Sequence, residues 1–179
     1  MIVDPNNLLA TNDWSTRAMI RSLGKAYSKS HPGMALQIRS GRRTCAQQNA
    51  IYAQGRTTPG ALVTGASGCR SWHVTGRAVD LDPFDLTTGK KVPHGNHPDY
   101  VWLGYKWEKL GGGWGGRFSI YDPGHFEWHP KLDINTVCPI GMPCEQMKVR
   151  AETPAWVWIT GGVTAAALAG GVYLAWKSP

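Results

Sequence analysis

The 22 residues from Ala155 to Trp176 hold no charged side chain, and charged residues make up only 17% of the 179-residue chain. Beside a hydrophobic share of 42%, so little charge excludes a disordered chain or a coiled coil. Cysteine is sparse as well. Four residues are too few for a disulfide scaffold, and the C-x5-C spacing of Cys138 and Cys144 is not that of paired zinc-finger ligands. Met1–Leu9 has no basic segment followed by an apolar one, so no secretory signal peptide is expected. Repeats and low-complexity tracts are absent.

Lys and Arg number 19 against 12 Asp and Glu, a net charge of +7. That balance is compatible with nucleic acid, anionic lipid or an anionic cell wall and does not choose among them. With the uncharged stretch set aside, residues 1–150 have room for one domain with one sizeable core, and 151–154 read as a linker. Cys138 and Cys144, around Pro139, Gly141 and Pro143, are spaced to close a small loop, whereas the partners of Cys45 and Cys69 are left open.

As a helix, residues 155–176 would be about 33 Å long at ~1.5 Å per residue, close to a hydrocarbon core of about 30 Å. Thr153 and Pro154 supply an N-cap and a first-turn proline, with Trp156 and Trp158 at one end and Tyr173 and Trp176 at the other. A transmembrane helix in contact with lipid is the expectation; a buried helix, or a hairpin broken at Gly161–Gly162, is the alternative. Gly162, Ala166 and Gly170 line one face of that helix, either as a seat for helix–helix self-association or as plain filler.

In the remainder, apolar spacing predicts a helix over about 14–28, with Met19, Leu23, Ala26 and Tyr27 on its buried face. Met34–Arg39 alternates as a strand, and Thr44 with Gln47 forms a capping-box pattern that opens a helix through Ala53. Ala61–Thr64 reads as extended. Val79 and Leu81 alternate with Asp80 and Asp82, and Pro98 starts a helix bearing Tyr100, Leu103, Trp107 and Leu110 on one side. Gly111–Gly116 reads as a flexible loop, and Ile120, Phe126 and Trp128 mark a last strand region. Helices before and between short strands, without regular βαβ alternation, predict the α+β class with a small antiparallel sheet.

Two stretches carry chemistry: Ser71-Trp72-His73-Val74-Thr75-Gly76-Arg77-Ala78-Val79-Asp80 and Asp122-Pro123-Gly124-His125-Phe126-Glu127-Trp128. A His before a glycine turn and an Asp on the strand that follows can converge on one ion, and a second His completes a His2Asp set. Asp122, three residues before His125, is placed to take a proton from water. Taken singly these residues have plainer roles: a hydrogen-bonded His73, an Asp80 paired with Arg77, an Asp122 and a His125 in a Pro-Gly turn. Their conjunction in one small domain favours the metal.

Ser71-x-His73-x-x-Gly76-x-Ala78-x-Asp80 resembles the signature of the zinc D-Ala-D-Ala carboxypeptidase and L-alanyl-D-glutamate endopeptidase superfamily. The upstream run Gly41-Arg42-Arg43-Thr44, continuing through Gln48–Tyr52 and Gln54-Gly55-Arg56, and the closing Asp122-x-x-His125-Phe126-Glu127-Trp128 are similar to that family's flanking blocks. The resemblance covers about residues 35–130 and is nearer the endolysin-type endopeptidases than the dipeptidase branch. It implies Zn2+ on His73, Asp80 and His125, Asp122 as general base, and Arg43 on substrate or oxyanion. Arg42, where the family often has an aromatic, leaves both arginines as candidates. Ser71 would be a substrate or supporting contact, and Glu127 a supporting residue at best. Gly124 replaces the family's usual proline, and with the glycine-rich loop it implies a mobile wall. His94 and His97 read as surface histidines, with an accessory contact as the alternative.

The expected function is cleavage of peptidoglycan stem peptides, at L-Ala–D-Glu before D-Ala–D-Ala, with no nucleic-acid partner. A zinc-stabilised cell-wall binding module without turnover is the rival. A phage lytic or virion-associated enzyme held by its tail, acting on the extracytoplasmic wall, would reconcile the substrate with the missing signal peptide; an exported bacterial enzyme is the alternative.

Overall fold

In a computed structural model the chain is described at residues 1–139 and 142–146. The expected linker at 151–154, the 155–176 span and its Gly162, Ala166 and Gly170 stripe lie outside the described residues. Among the described residues no helix is long and apolar enough to cross a membrane.

The domain is α+β, as expected, but its sheet is mixed rather than antiparallel. Strand β1 (Ile2–Val3) leads into helix α1 (Trp14–Ser30) and strand β2 (Met34–Ser40), and β1 runs parallel to β2 with Ile2 opposite Leu36. A parallel pair needs a crossover, and α1 supplies it. The remaining pairs are antiparallel. They involve β3 (Ala78–Asp85), β4 (Lys90–Lys91), β5 (Gly113–Trp114) and β6 (His125–Glu127), in the order β1-β2-β3-β6-β5 with β4 beside β3. A register shift between Ile38 and Ser40 puts a bulge at Arg39.

Helix α1 starts where the Asp13 side chain accepts from Ser15 N. Its buried side carries Ile20, Leu23 and Tyr27, rotated from the expected face so that Ala26 is exposed. Helix α2 (Cys45–Ala53) opens with the complete Thr44–Gln47 capping box. Helix α3 (Pro98–Lys109) has Pro98 in its first turn, where the missing N–H costs nothing. Tyr100, Leu103 and Trp107 are fully buried against the sheet, whereas the expected fourth member, Leu110, is exposed past the helix end. Burying side chains of this size stabilises by roughly 1.5–3 kcal/mol each.

Ala61–Thr64 forms no strand, and Ile120 lies outside the last one. The Gly111–Gly116 segment, expected to be flexible, contains β5 and a 3-10 turn over Gly115–Arg117. Trp114 orders it: the ring is buried against Gly104 of α3, where a Cβ would stand 2.1 Å from a ring carbon, and its Nε1 donates to Pro123 O at 2.9 Å.

The cysteine pairing also differs from expectation. Cys138 and Cys144 do not join each other; the disulfides are Cys45–Cys144 and Cys69–Cys138. They staple the segment around α4 (Ile134–Val137) to the start of α2 and to the 3-10 turn at Gly68–Arg70.

Candidate metal centre

Period-2 alternation sorts β3 and β6 into two faces. Val79, Leu81 and Phe126 belong to the hydrophobic core, while Asp80, His125 and Glu127 meet at the site on the opposite face. Asp80 is directly opposite His125 in the antiparallel register. His73 arrives from the turn before β3, where Gly76 adopts φ 76°, a left-handed conformation that side chains with a Cβ rarely take. Ser71 supports this turn: its hydroxyl accepts from His73 N at 3.3 Å.

His73 Nε2, Asp80 Oδ1 and His125 Nδ1 form a triangle with every side 3.2 Å. Tetrahedral zinc with donors at about 2.0 Å sets neighbouring donors about 3.3 Å apart, so the three atoms fit one face of such a site. The imidazoles are also held in the right tautomers. His73 Nδ1 donates to Gly41 O at 2.8 Å, freeing Nε2 as a donor to metal. His125 Nε2 lies 3.1 Å from Glu127 Oε2, and His129 Nε2 lies 2.8 Å from Glu127 Oε1. His129 itself stacks on Trp72 with ring centroids 3.9 Å apart. Glu127 therefore orients His125 and takes no place in the triangle.

The electrostatics of these side chains follow from this packing. Burial works to raise the Asp80 pKa, but the charge of His73 and hydrogen bonds from His125 and His73 hold it well below the usual carboxylate range. Burial opposes a charge on His125, yet hydrogen bonds to Asp80 and Glu127 push its pKa up to about 9. Glu127 resists burial in the same way and is drawn down to about 2 by His125 and His129. At pH 7–8, below that His125 pKa, the proton on Nδ1 occupies the atom a metal needs. Zinc uptake is expected to release about one proton, and apparent affinity to fall about tenfold per unit as pH drops below about 9. Titration calorimetry in buffers of different ionisation heats reads that proton; no net release would contradict the site.

Arg43, not Arg42, reaches the centre. Its guanidinium bridges Asp80 Oδ2, Gln48 Oε1 at 3.1 Å and Ser40 Oγ at 3.2 Å, whereas Arg42 lies outside the cleft with Nε 3.4 Å from Val74 O. Asp80 is thus gripped at both oxygens. Asp122 is 41% exposed on the cleft, held through its backbone by Asp122 N to Gly115 O and His125 N to Asp122 O, both 3.1 Å. The cleft, ≈ 700 Å³, opens over the triad.

The alternation placed Asp82 on the polar face with Asp80 but gave it no partners, and the structure sets it beneath the cleft wall. Asp82, 1% exposed, accepts from Tyr100 Oη at 2.9 Å and lies 2.7 Å from His94 Nε2. The pleat returns it to the face of Asp80, as the alternation indicated; its bonds to Tyr100 and His94 come from distant segments and left no local signal. His94 therefore lines the cleft, while His97 caps α3 by accepting from Asp99 N. Arg77 does not pair with Asp80 but lies 3.7 Å from Asp13.

Residues 64–128 match the family described as D-alanyl-D-alanine carboxypeptidase. The crystal structure of Serratia marcescens L-Ala D-Glu endopeptidase ChiX is similar at 20% identity and a TM-score of 0.49, over 72% of this chain and 90% of that one. The matched segment contains all three donors and Asp122. It carries the residues that resemble the signature of the zinc D-Ala-D-Ala carboxypeptidase and L-alanyl-D-glutamate endopeptidase superfamily, and over residues 64–128 the chain is similar to that family.

Proposed function

We propose that the chain is a zinc peptidase of peptidoglycan stem peptides that cuts most readily between L-Ala and D-Glu. The observation that carries this reading is the His73, Asp80 and His125 triangle, whose donor spacing suits one zinc and which opens on a cleft with Asp122 at its wall. Zinc bound there would supply Lewis acidity toward the scissile carbonyl and toward water. Asp122 accepts the proton released from attacking water and returns it to the leaving amine. Among the described residues Arg43 has three of its five N–H donors engaged, and the other two serve the oxygen that gains charge. Glu127 keeps His125 in the tautomer and orientation that binding requires.

Digestion of purified peptidoglycan by the zinc-loaded chain, followed by mass analysis, tests the reading. New amino termini at D-Glu are expected. Release of D-Ala alone would support D-Ala–D-Ala cleavage, which the description of the matched family favours. Binding without products would leave a zinc-stabilised wall-binding module. Asp122→Asn is expected to retain zinc and lose about 10²–10⁴-fold in kcat; full activity in that variant would remove Asp122 as the base.

In this reading the enzyme works outside the cytoplasm, as a phage lytic or virion-associated protein held to lipid by 155–176. Two disulfides favour an oxidising compartment, and the +7 charge suits an anionic envelope. Fractionation of lysates and particles tests the placement, and recovery in the soluble fraction alone would defeat the anchor.

A further inference from the structure

The bulge on β2 sets Arg39 apart from the regular ladder. Bulges re-aim side chains, and here the displaced residue joins the wall of the cleft with its side chain 34% exposed. Its NH2 lies 3.8 Å from Asp122 Oδ1 and its NH1 lies 3.6 Å from Asp82 Oδ1, both beyond hydrogen-bond range. Asp82 has no need of it. Tyr100 and His94 already serve the same carboxylate oxygen, and Lys91 Nζ stands 3.6 Å from the other.

Among the described residues, the one short contact of Arg39 is with His94 Nε2 at 2.7 Å, the same nitrogen that lies 2.7 Å from Asp82. A single ring nitrogen either carries a proton for Asp82 or offers a lone pair to Arg39, and it does not do both. With His94 donating to Asp82, the guanidinium is left with two long contacts and an open cleft.

Space for it comes from Gly124. A Cβ at that position would stand 2.8 Å from Arg39 NH2 and 3.1 Å from Leu81 O. The glycine that replaces the family's usual proline thus makes room for a cation beside Asp122.

We propose that Arg39 binds a carboxylate of the substrate, on the residue that follows the scissile bond. This rests on the peptidase reading above. Both bonds considered there fit it: D-Glu linked through its side chain keeps a free α-carboxylate, and so does a terminal D-Ala. Of the arginines lining the cleft, Arg43 is engaged with Asp80 and Arg70 with Asn135, so an anion passing Asp122 is met by Arg39, which stands beside that carboxylate. A planar guanidinium takes a carboxylate through two parallel N–H donors, which an ammonium does not.

The test uses the full zinc-loaded chain and two peptides, L-Ala-γ-D-Glu-L-Lys and its analogue with the D-Glu α-carboxylate amidated. The native protein is expected to favour the acid by at least about tenfold in kcat/KM, chiefly through KM. In Arg39→Gln the ratio of the two should collapse toward one, in Arg39→Lys it should fall part of the way, and in Gly124→Ala it should fall because the guanidinium is displaced. An Arg39→Gln variant that keeps the native ratio, or that loses both peptides equally, overturns the proposal. Equilibrium binding of both peptides, read by tryptophan fluorescence, separates the two readings. An acid preference in binding that Arg39→Gln abolishes, without turnover, sustains Arg39 and defeats the peptidase. Turnover without acid preference does the reverse, and no binding with no turnover defeats both.

Discussion

Replacing His125 by alanine is expected to lower zinc affinity by roughly 10²–10³-fold and bring peptide hydrolysis to background. Two donors would remain, one of them Asp80, still fastened to Arg43. His125 is the better ligand to remove than His73, which is 2% exposed and hydrogen-bonded to Gly41 O, so that its loss also leaves a buried carbonyl unpaired. Competition against a chromogenic chelator measures the affinity, and the melting temperature of the metal-free variant separates a lost ligand from a lost fold. Native zinc affinity in His125→Ala would refute the triad.

The second large effect concerns the disulfides. Their sequence separations are 99 and 69 residues, and in the chain-entropy account each such loop stabilises by roughly 4–5 kcal/mol. Opening both is expected to lower the melting temperature by about 10 °C or more. The site should suffer early, because Cys45 follows Arg43 by two residues and Cys69 precedes Ser71 by two. Calorimetry with and without reductant, beside a Cys69→Ala/Cys138→Ala variant, reads the change. A melting temperature indifferent to reductant would show that the staples contribute nothing.

What the sequence made legible was local. His73 and Asp80 lie in one turn and strand, so their spacing already limits how they can meet. The Thr44–Gln47 box and the Pro98 start are likewise complete within four residues. Arg39 left no such trace, since a bulge arises from the pairing of two strands and not from either one alone. Disulfide pairing was hidden for the same reason: proximity along the chain suggested Cys138 with Cys144, while tertiary packing set each near a distant partner, with Cα atoms 5.8 Å apart. The parallel pairing of β1 needed α1 to be seen as a crossover, and two-residue strands give no period to read.

Trp114 has a consequence for binding. A glycine-rich segment loses more conformational freedom on ordering than any other, on the order of 1–2 kcal/mol per residue. Seated on Gly104 and bonded to Pro123 O, the indole brings Gly113–Arg117 and the Asp122 turn to their places while the chain folds. A peptide arriving at the cleft meets a wall already set, so the entropy of fixing it is not subtracted again at each encounter.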